Sequence, residues 1–330
     1  MWRARHVASC AAAAWIGSRA AASAHPALKH GTPVSHRTRY DENYVVHFDQ
    51  RTRDPLWVVE RLTKQRLDAE AEHPPGRRDA KYLEAADVPA RLRSRLAHYK
   101  HSGYDRGHLA PAADHRGSRD AVQCRAASPI ASMASWGEAS TYTPSSNVSR
   151  RSTFYLDNMC PQDSLLNRGT WLRLEELCRS VARVADEVYV VSGPLFLPER
   201  EKDGLRMRHR VLGSPPSVTW VPSHFFKVVL AERGGVSYIG CFVLPNGKCD
   251  DDLSKWLVPL ENLEAAAGLI PFPDALSDDA ARDALAAAES RWCPRGAGIS
   301  AGRARERADI RHLCDLLPNG ALEARKALPP

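Results

Sequence analysis

Hydrophobic and polar positions change rhythm several times along this chain, and each change predicts an element. From Tyr44 the run YVVHFDQRTRDPLWVVERL sets two β-rich stretches around a polar turn, which predicts a hairpin entering the core. Residues 72–103 are polar and punctuated by proline, so they read as loops with one short helix near 89–99. Residues 123–151 are rich in Ser, Ala and Thr without a period and read as an inserted surface loop. STFYL at 152–156 predicts a short strand. The run LLNRGTWLRLEELCRSVARVADEV then predicts one helix, with Trp171, Leu174, Leu177, Cys178, Val181 and Val184 forming a buried stripe at spacings of three and four.

Three more strands are predicted over 188–197, 224–232 and 237–246, the last two joined by a turn through Arg233, Gly234 and Gly235. PLENLEAAAGLIPF at 259–272 reads as a helix ended by glycine and proline. DDAARDALAAAESRW reads as another, inside a C-terminal stretch that is otherwise loosely structured. Hairpin-connected strands interleaved with few helices predict an α+β fold with a central, mainly antiparallel sheet flanked by helices.

Composition narrows the class. The 330 residues are 43% hydrophobic and 26% charged, with no apolar run long enough to form an integral membrane segment. A formal charge of +7 favours polyanionic partners such as nucleic acid. The eight cysteines are scattered without a C-x-x-C pair, which suits reduced structural thiols better than a zinc ribbon or a disulfide framework. Residues 1–40 contain no Asp or Glu but several Arg among Ala and Ser, the composition of a mitochondrial targeting segment. A secretory signal built on CAAAAWIG is the alternative. The organisation expected is therefore a leader over 1–40, a folded domain over 41–276 carrying the inserted loop, and a helical, poorly ordered extension over 277–330.

Chemistry concentrates in two places. GYDRGHLAP at 103–111 sets Asp105, Arg106 and His108 on a glycine-bearing stretch that can hold an imidazole in one pose. Asp105 can orient an imidazole or a water, and Arg106 can neutralise an anion. Further on, Asn158 and Asn167 bracket Pro161 ahead of the amphipathic helix. In a continuous helix each step of four drifts by about 40°, so Asn167, Trp171 and Glu175 share one face. An amide carbonyl and a carboxylate are hard oxygen donors, suited to Mg²⁺, which keeps most of its waters. Read separately, Asn167 is a preferred helix N-cap and Glu175 a solvated acid.

Together, DRGH at 105–108, YLDNMCPQ and LNRGTWLRLE resemble the DNA/RNA non-specific endonucleases of the ββα-metal (His-Me finger) fold, above all their mitochondrial branch. The segments VVHFDQRTRDPLWVVE, YVVSGPLFLP, VPSHFFKVVL and WLVPLENLEAAAGLIPF extend the likeness in the same order, from about Tyr40 to Pro273. The resemblance implies that His108 is the general base and that Arg106 binds phosphate. It implies that Asn158 supports the geometry, that Asn167 holds the metal, and that Glu175 holds a water of the metal's shell. A further phosphate-binding arginine upstream falls at Arg77 or Arg78. The cofactor implied is Mg²⁺, with Mn²⁺ as an alternative. The resemblance further implies DNA and RNA as substrates, products with 5′-phosphate and 3′-hydroxyl ends, and a homodimer.

Three departures from the family stand out: the loop over 123–151, the tail after Ser277, and Asp157 where the family usually has Ser. The last is expected to place an extra carboxylate near the metal. Two competing readings are a catalytically silent nucleic-acid-binding protein on the same fold, and a structural metal site at His101, His108 and His115.

Overall fold

The computed structural model describes residues 26–42, 44–71, 81–115, 152–293, 309–318 and 321–323. The predicted hairpin forms, preceded by an additional strand: β1 (His36–Tyr40), β2 (Tyr44–Asp49) and β3 (Asp54–Leu62). Helices α1 (Lys64–Ala71) and α2 (Leu96–Tyr99) follow. Then come β4 (Asp105–His108), β5 (Met159–Gln162), α3 (Ser164–Arg168) and α4 (Thr170–Ala182). The long strand β6 (Glu187–Leu195) leads to four short ones, β7 (Glu199–Glu201), β8 (Gly204–Arg206), β9 (Val211–Ser214) and β10 (Ser217–Trp220). The chain closes with β11 (His224–Arg233), β12 (Val236–Pro245), α5 (Leu260–Ala267), α6 (Asp279–Trp292) and β13 (Ile310–His312).

One seven-stranded sheet runs in the order β1-β2-β3-β6-β11-β12-β13. Every pairing is antiparallel except β12 with β13. Both faces are covered, which explains why β11 reads as a nearly unbroken apolar run rather than an alternation. Successive side chains of a strand point to opposite faces. Phe225, Val229 and Ala231 accordingly join the core under α4, with Trp171, Leu174, Leu177, Cys178 and Val181. Phe226, Val228 and Leu230 join the core under α5 and α6, with Leu260, Leu263, Ala281 and Leu285. Helix α5 stops where predicted, because Gly268 takes a left-handed φ of 63° and returns its N–H to the Glu264 carbonyl.

Several expectations change. STFYL is not a strand: Ser152–Phe154 and Leu156–Asn158 are 3₁₀ turns, and only Tyr155 forms a bridge, to Leu83. One bridging residue has no neighbours with which to extend a ladder. The predicted long helix is two, broken at Gly169, and Val184 lies exposed beyond the end of α4. The helix expected near 89–99 shrinks to Leu96–Tyr99. His36–Tyr40 belongs to the sheet although composition placed it in a leader, because its arginines find carboxylates elsewhere: Arg37 pairs with Asp87 and Arg39 with Asp157. Within the C-terminal extension α6 forms as expected, while β13 pairs with β12 where loose structure was expected. The insertion over 123–151, and Arg77 and Arg78, lie outside the described residues.

Candidate active site

β4 and β5 form a separate two-stranded ladder, Asp105 opposite Gln162 and His108 opposite Met159. With α3 and α4 following at once, the unit reads β, β, α. Strand alternation puts Arg106 and His108 on one face and Asp105 and Gly107 on the other. The Arg106 guanidinium lies 4.1 Å over the Tyr82 ring. The His108 imidazole meets the edge of Phe154 at 5.3 Å. Gly107 permits the ladder to close on its other face, since a Cβ there would stand 2.1 Å from Gln162 Oε1.

The backbone around His108 is fixed from both sides. The Trp171 indole N–H donates to the His108 carbonyl at 3.3 Å. Asn158 is fully buried: its Oδ1 accepts from the Ala110 N–H at 3.0 Å, and its Nδ2 donates to the carbonyls of Ala110 and Thr153 at 2.9 and 3.0 Å. The Leu109 N–H bonds the Asn158 carbonyl. Asn158 thus clamps the turn after His108, and all its amide groups are spent on backbone. Among the described residues, His108 Nε2 is buried without a hydrogen-bond partner. Burial, and then the Arg106 charge, take the imidazole down to about 4, so it is a neutral base at pH 7.

Among the described residues Asp105 orients no imidazole, one of the two roles the sequence suggested for it. It accepts from Asn167 Nδ2 at 3.0 Å and from Arg168 Nε and Nη2 at 3.0 and 2.9 Å. Partial burial opposes ionisation, but these bonds from Arg168 and Asn167 hold the carboxyl below its ordinary range. A carboxylate only accepts, so Asn167 must turn its NH₂ to Asp105 and its Oδ1 away. Asn167 is not an N-cap; that position is Asp163, which accepts the Leu165 N–H at 2.8 Å.

Asn167 and Glu175 do not share one helical face, because Gly169 separates α3 from α4. Glu175 faces inward, and burial pushes its carboxyl up to about 8, opposed chiefly by Lys227. The charges around it are themselves buried. Lys227 is 1% exposed; it donates to Ser192 Oγ at 2.7 Å and lies 3.8 Å from Glu60 Oε1 and 4.8 Å from the Trp171 ring centroid. His115 bonds Glu60 at 3.0 Å, and Arg179 bonds Asp114 at 2.9 Å. Glu60, Ser192 and Lys227 line the sheet face beneath Trp171. Sequence reading missed them, though a signal existed: Glu60 and Lys227 are lone charges at inward positions of apolar strands.

Two further expectations are corrected. Both oxygens of Asp157 are held by Arg39 at 2.8 Å, so this carboxylate serves the β1 attachment and is not an extra metal ligand. The three-histidine metal site is not assembled, since His115 is paired with Glu60 and His101 is exposed. No cluster of three His, Cys, Asp or Glu side chains suited to a metal occurs among the described residues. The donor that fits a cation is Asn167 Oδ1. A single protein oxygen suits a hard divalent ion that retains water.

Comparison with known proteins agrees with this geometry. The family model for DNA/RNA non-specific endonuclease matches residues 23–279. Human mitochondrial endonuclease G is 37% identical over 253 residues, 76% of this chain and 74% of the human protein. The mitochondrial nuclease of Saccharomyces cerevisiae is 32% identical, over 73% of this chain and 68% of its own length. In the solved EndoG/EndoGI complex, a chain superposes with a TM-score of 0.58 at 31% identity, covering 74% of this chain and 88% of its own. A ββα hairpin carrying these motifs, and a family match over most of the length, place this chain in the DNA/RNA non-specific endonuclease family, as a mitochondrial endonuclease with the ββα-metal fold.

Proposed function

We propose that the chain hydrolyses phosphodiester bonds of DNA and RNA alike, with His108 as the general base that deprotonates the attacking water. The observation that carries this reading is His108 itself: a neutral imidazole whose Nε2 has no partner among the described residues, held by Trp171 and Asn158 beside Arg106. A base must be unprotonated and free at the nitrogen that takes the proton. Arg106, and Arg77 or Arg78, would supply fixed positive charge to the phosphate. Asn158 positions the loop. Asn167 would hold Mg²⁺, or Mn²⁺, through Oδ1; when bound, the ion supplies Lewis-acid stabilisation of phosphate and leaving-group charge. Glu175 would orient a water of that ion's shell. The products would carry 5′-phosphate and 3′-hydroxyl ends, and the working unit would be a homodimer. The targeting segment would lie ahead of His36.

Plasmid and RNA digestion with Mg²⁺ tests the reading. Wild type is expected to degrade both, while His108→Ala and Asn167→Ala lose about 10²-fold or more in turnover and still bind. Undiminished cleavage by His108→Ala would sink the mechanism. Binding without cleavage by wild type would favour a silent nucleic-acid-binding protein.

A further inference from the structure

A groove of about 560 Å³ opens beside the β4–β5 ladder, lined among others by Tyr104, Arg208, His209, Arg210, His224 and Asn246. It begins one residue before Asp105 and is fastened to the catalytic unit. Asn246 donates to the carbonyls of Pro161 and Pro222 at 3.0 and 2.8 Å, and its Oδ1 accepts the Asp163 N–H at 2.7 Å. The groove floor is therefore bonded to the end of β5 and to the cap of α3, the helix that carries Asn167.

Its basic side chains stand against aromatic rings. Arg210 donates to the Tyr104 hydroxyl at 3.4 Å, with its guanidinium 5.3 Å from that ring centroid. His209 stacks on Trp220 at 4.3 Å and meets the edge of Phe196. Arg208 is paired with both oxygens of Glu201, Nε to Oε1 at 3.1 Å and Nη2 to Oε2 at 3.3 Å, yet its side chain is 64% exposed. The pair uses two of the five guanidinium N–H donors, so Arg208 keeps three for a ligand. Among the described residues, Glu199 is the one carboxylate in the lining.

Resting on the endonuclease reading above, we infer that this groove carries the sugar–phosphate strand flanking the scissile phosphate, with Arg208 and Arg210 contacting its phosphates. Guanidinium contacts to phosphate position a strand without reading its bases, as an enzyme acting on both DNA and RNA requires. The Tyr104 ring adds a sequence-tolerant surface for stacking.

The test uses the full chain in a cleavage-inactive His108→Ala background, with a labelled duplex oligonucleotide bound over a series of salt concentrations. Arg208→Ala/Arg210→Ala is compared with Arg183→Ala/Arg233→Ala, which removes equal charge from the far edge where α4 and β11 end. Each lost phosphate contact should lower the slope of log K against log salt by about 0.9, so the groove variant should lose roughly 1.8 and the control almost nothing. In the active background the groove variant should raise KM with little change in kcat. Equal slopes for the two double variants would overturn the proposal. Should the double alanine variant fold poorly, Arg208→Gln and Arg210→Gln singly must each lose about half of that slope. A wild type that binds with this slope but never cuts plasmid would refute the activity and leave the groove assignment standing.

Discussion

At the level of single residues, His108 is defined by what surrounds its imidazole. Its ordinary value is 6.5 and the folded value is about 4, with burial the larger cause and Arg106 the second. Between those two values the unfolded chain holds a proton that the folded chain refuses, so this group favours folding fully above 6.5 and progressively less as pH falls toward 4. In the metal-free chain the His108 ring resonance, assigned by its loss in His108→Ala, should titrate near 4 by NMR. Arg106→Gln should move that midpoint upward, because the cation opposing protonation is gone. A wild-type midpoint near 6.5 would mean the ring is solvated and that its neighbours do not tune it. The sequence singled this residue out through DRGH taken together with YLDNMCPQ and LNRGTWLRLE, not through DRGH by itself. The role of Asp105 was not legible, because its partners Asn167 and Arg168 come from a helix more than sixty positions on.

Among elements, those with a strong local period were legible: β2, β3, β6, β11, β12, α5 and α6 each fall within a few residues of the pattern that predicts them. What the pattern hid was the break at Gly169, because apolar positions continue at helical spacing across it. A Cβ at Gly169 would lie 2.4 Å from the Leu165 carbonyl oxygen. The break lets α3 turn Asn167 and Arg168 to Asp105 while α4 sends Trp171 and Leu174 into the core. Gly169→Ala should therefore force the two helices apart. We expect a loss of about 1–3 kcal/mol, seen as a lower urea midpoint, as for other overpacked sites. Cleavage should weaken too, most visibly at limiting divalent metal, because Asn167 shifts from the Asp105 carboxylate. An unchanged midpoint together with an unchanged dependence on divalent metal would show that the bend tolerates a side chain and does not position Asn167.

For the molecule as a whole, the edge strands were the least legible part, since the carboxylates that hold β1 and the strand that pairs with β13 come from distant sequence. The C-terminal edge has the larger consequence. β13 and the residues after it lie beyond the family match, which ends at 279, yet they complete the frame. Leu313 is fully buried and fills the space left by Gly240, where a Cβ would come within 2.7 Å of Leu313 Cβ. The Leu322 carbonyl accepts from the Leu253 N–H at 2.8 Å and from Arg173 of α4 at 3.1 Å, so the tail also braces the helix that holds Trp171 and Glu175. Ending the chain at Cys293 would leave the β12 edge unpaired and a cavity in place of Leu313. Losing that side chain alone should cost about 2–5 kcal/mol, and the bare edge should pair with other copies. Urea denaturation and light scattering at matched concentrations would measure both, with Leu313→Ala separating the packing loss from the exposed edge. A truncated chain with the full-length midpoint and no added scattering would show that the extension is an ornament on a frame already complete at β12.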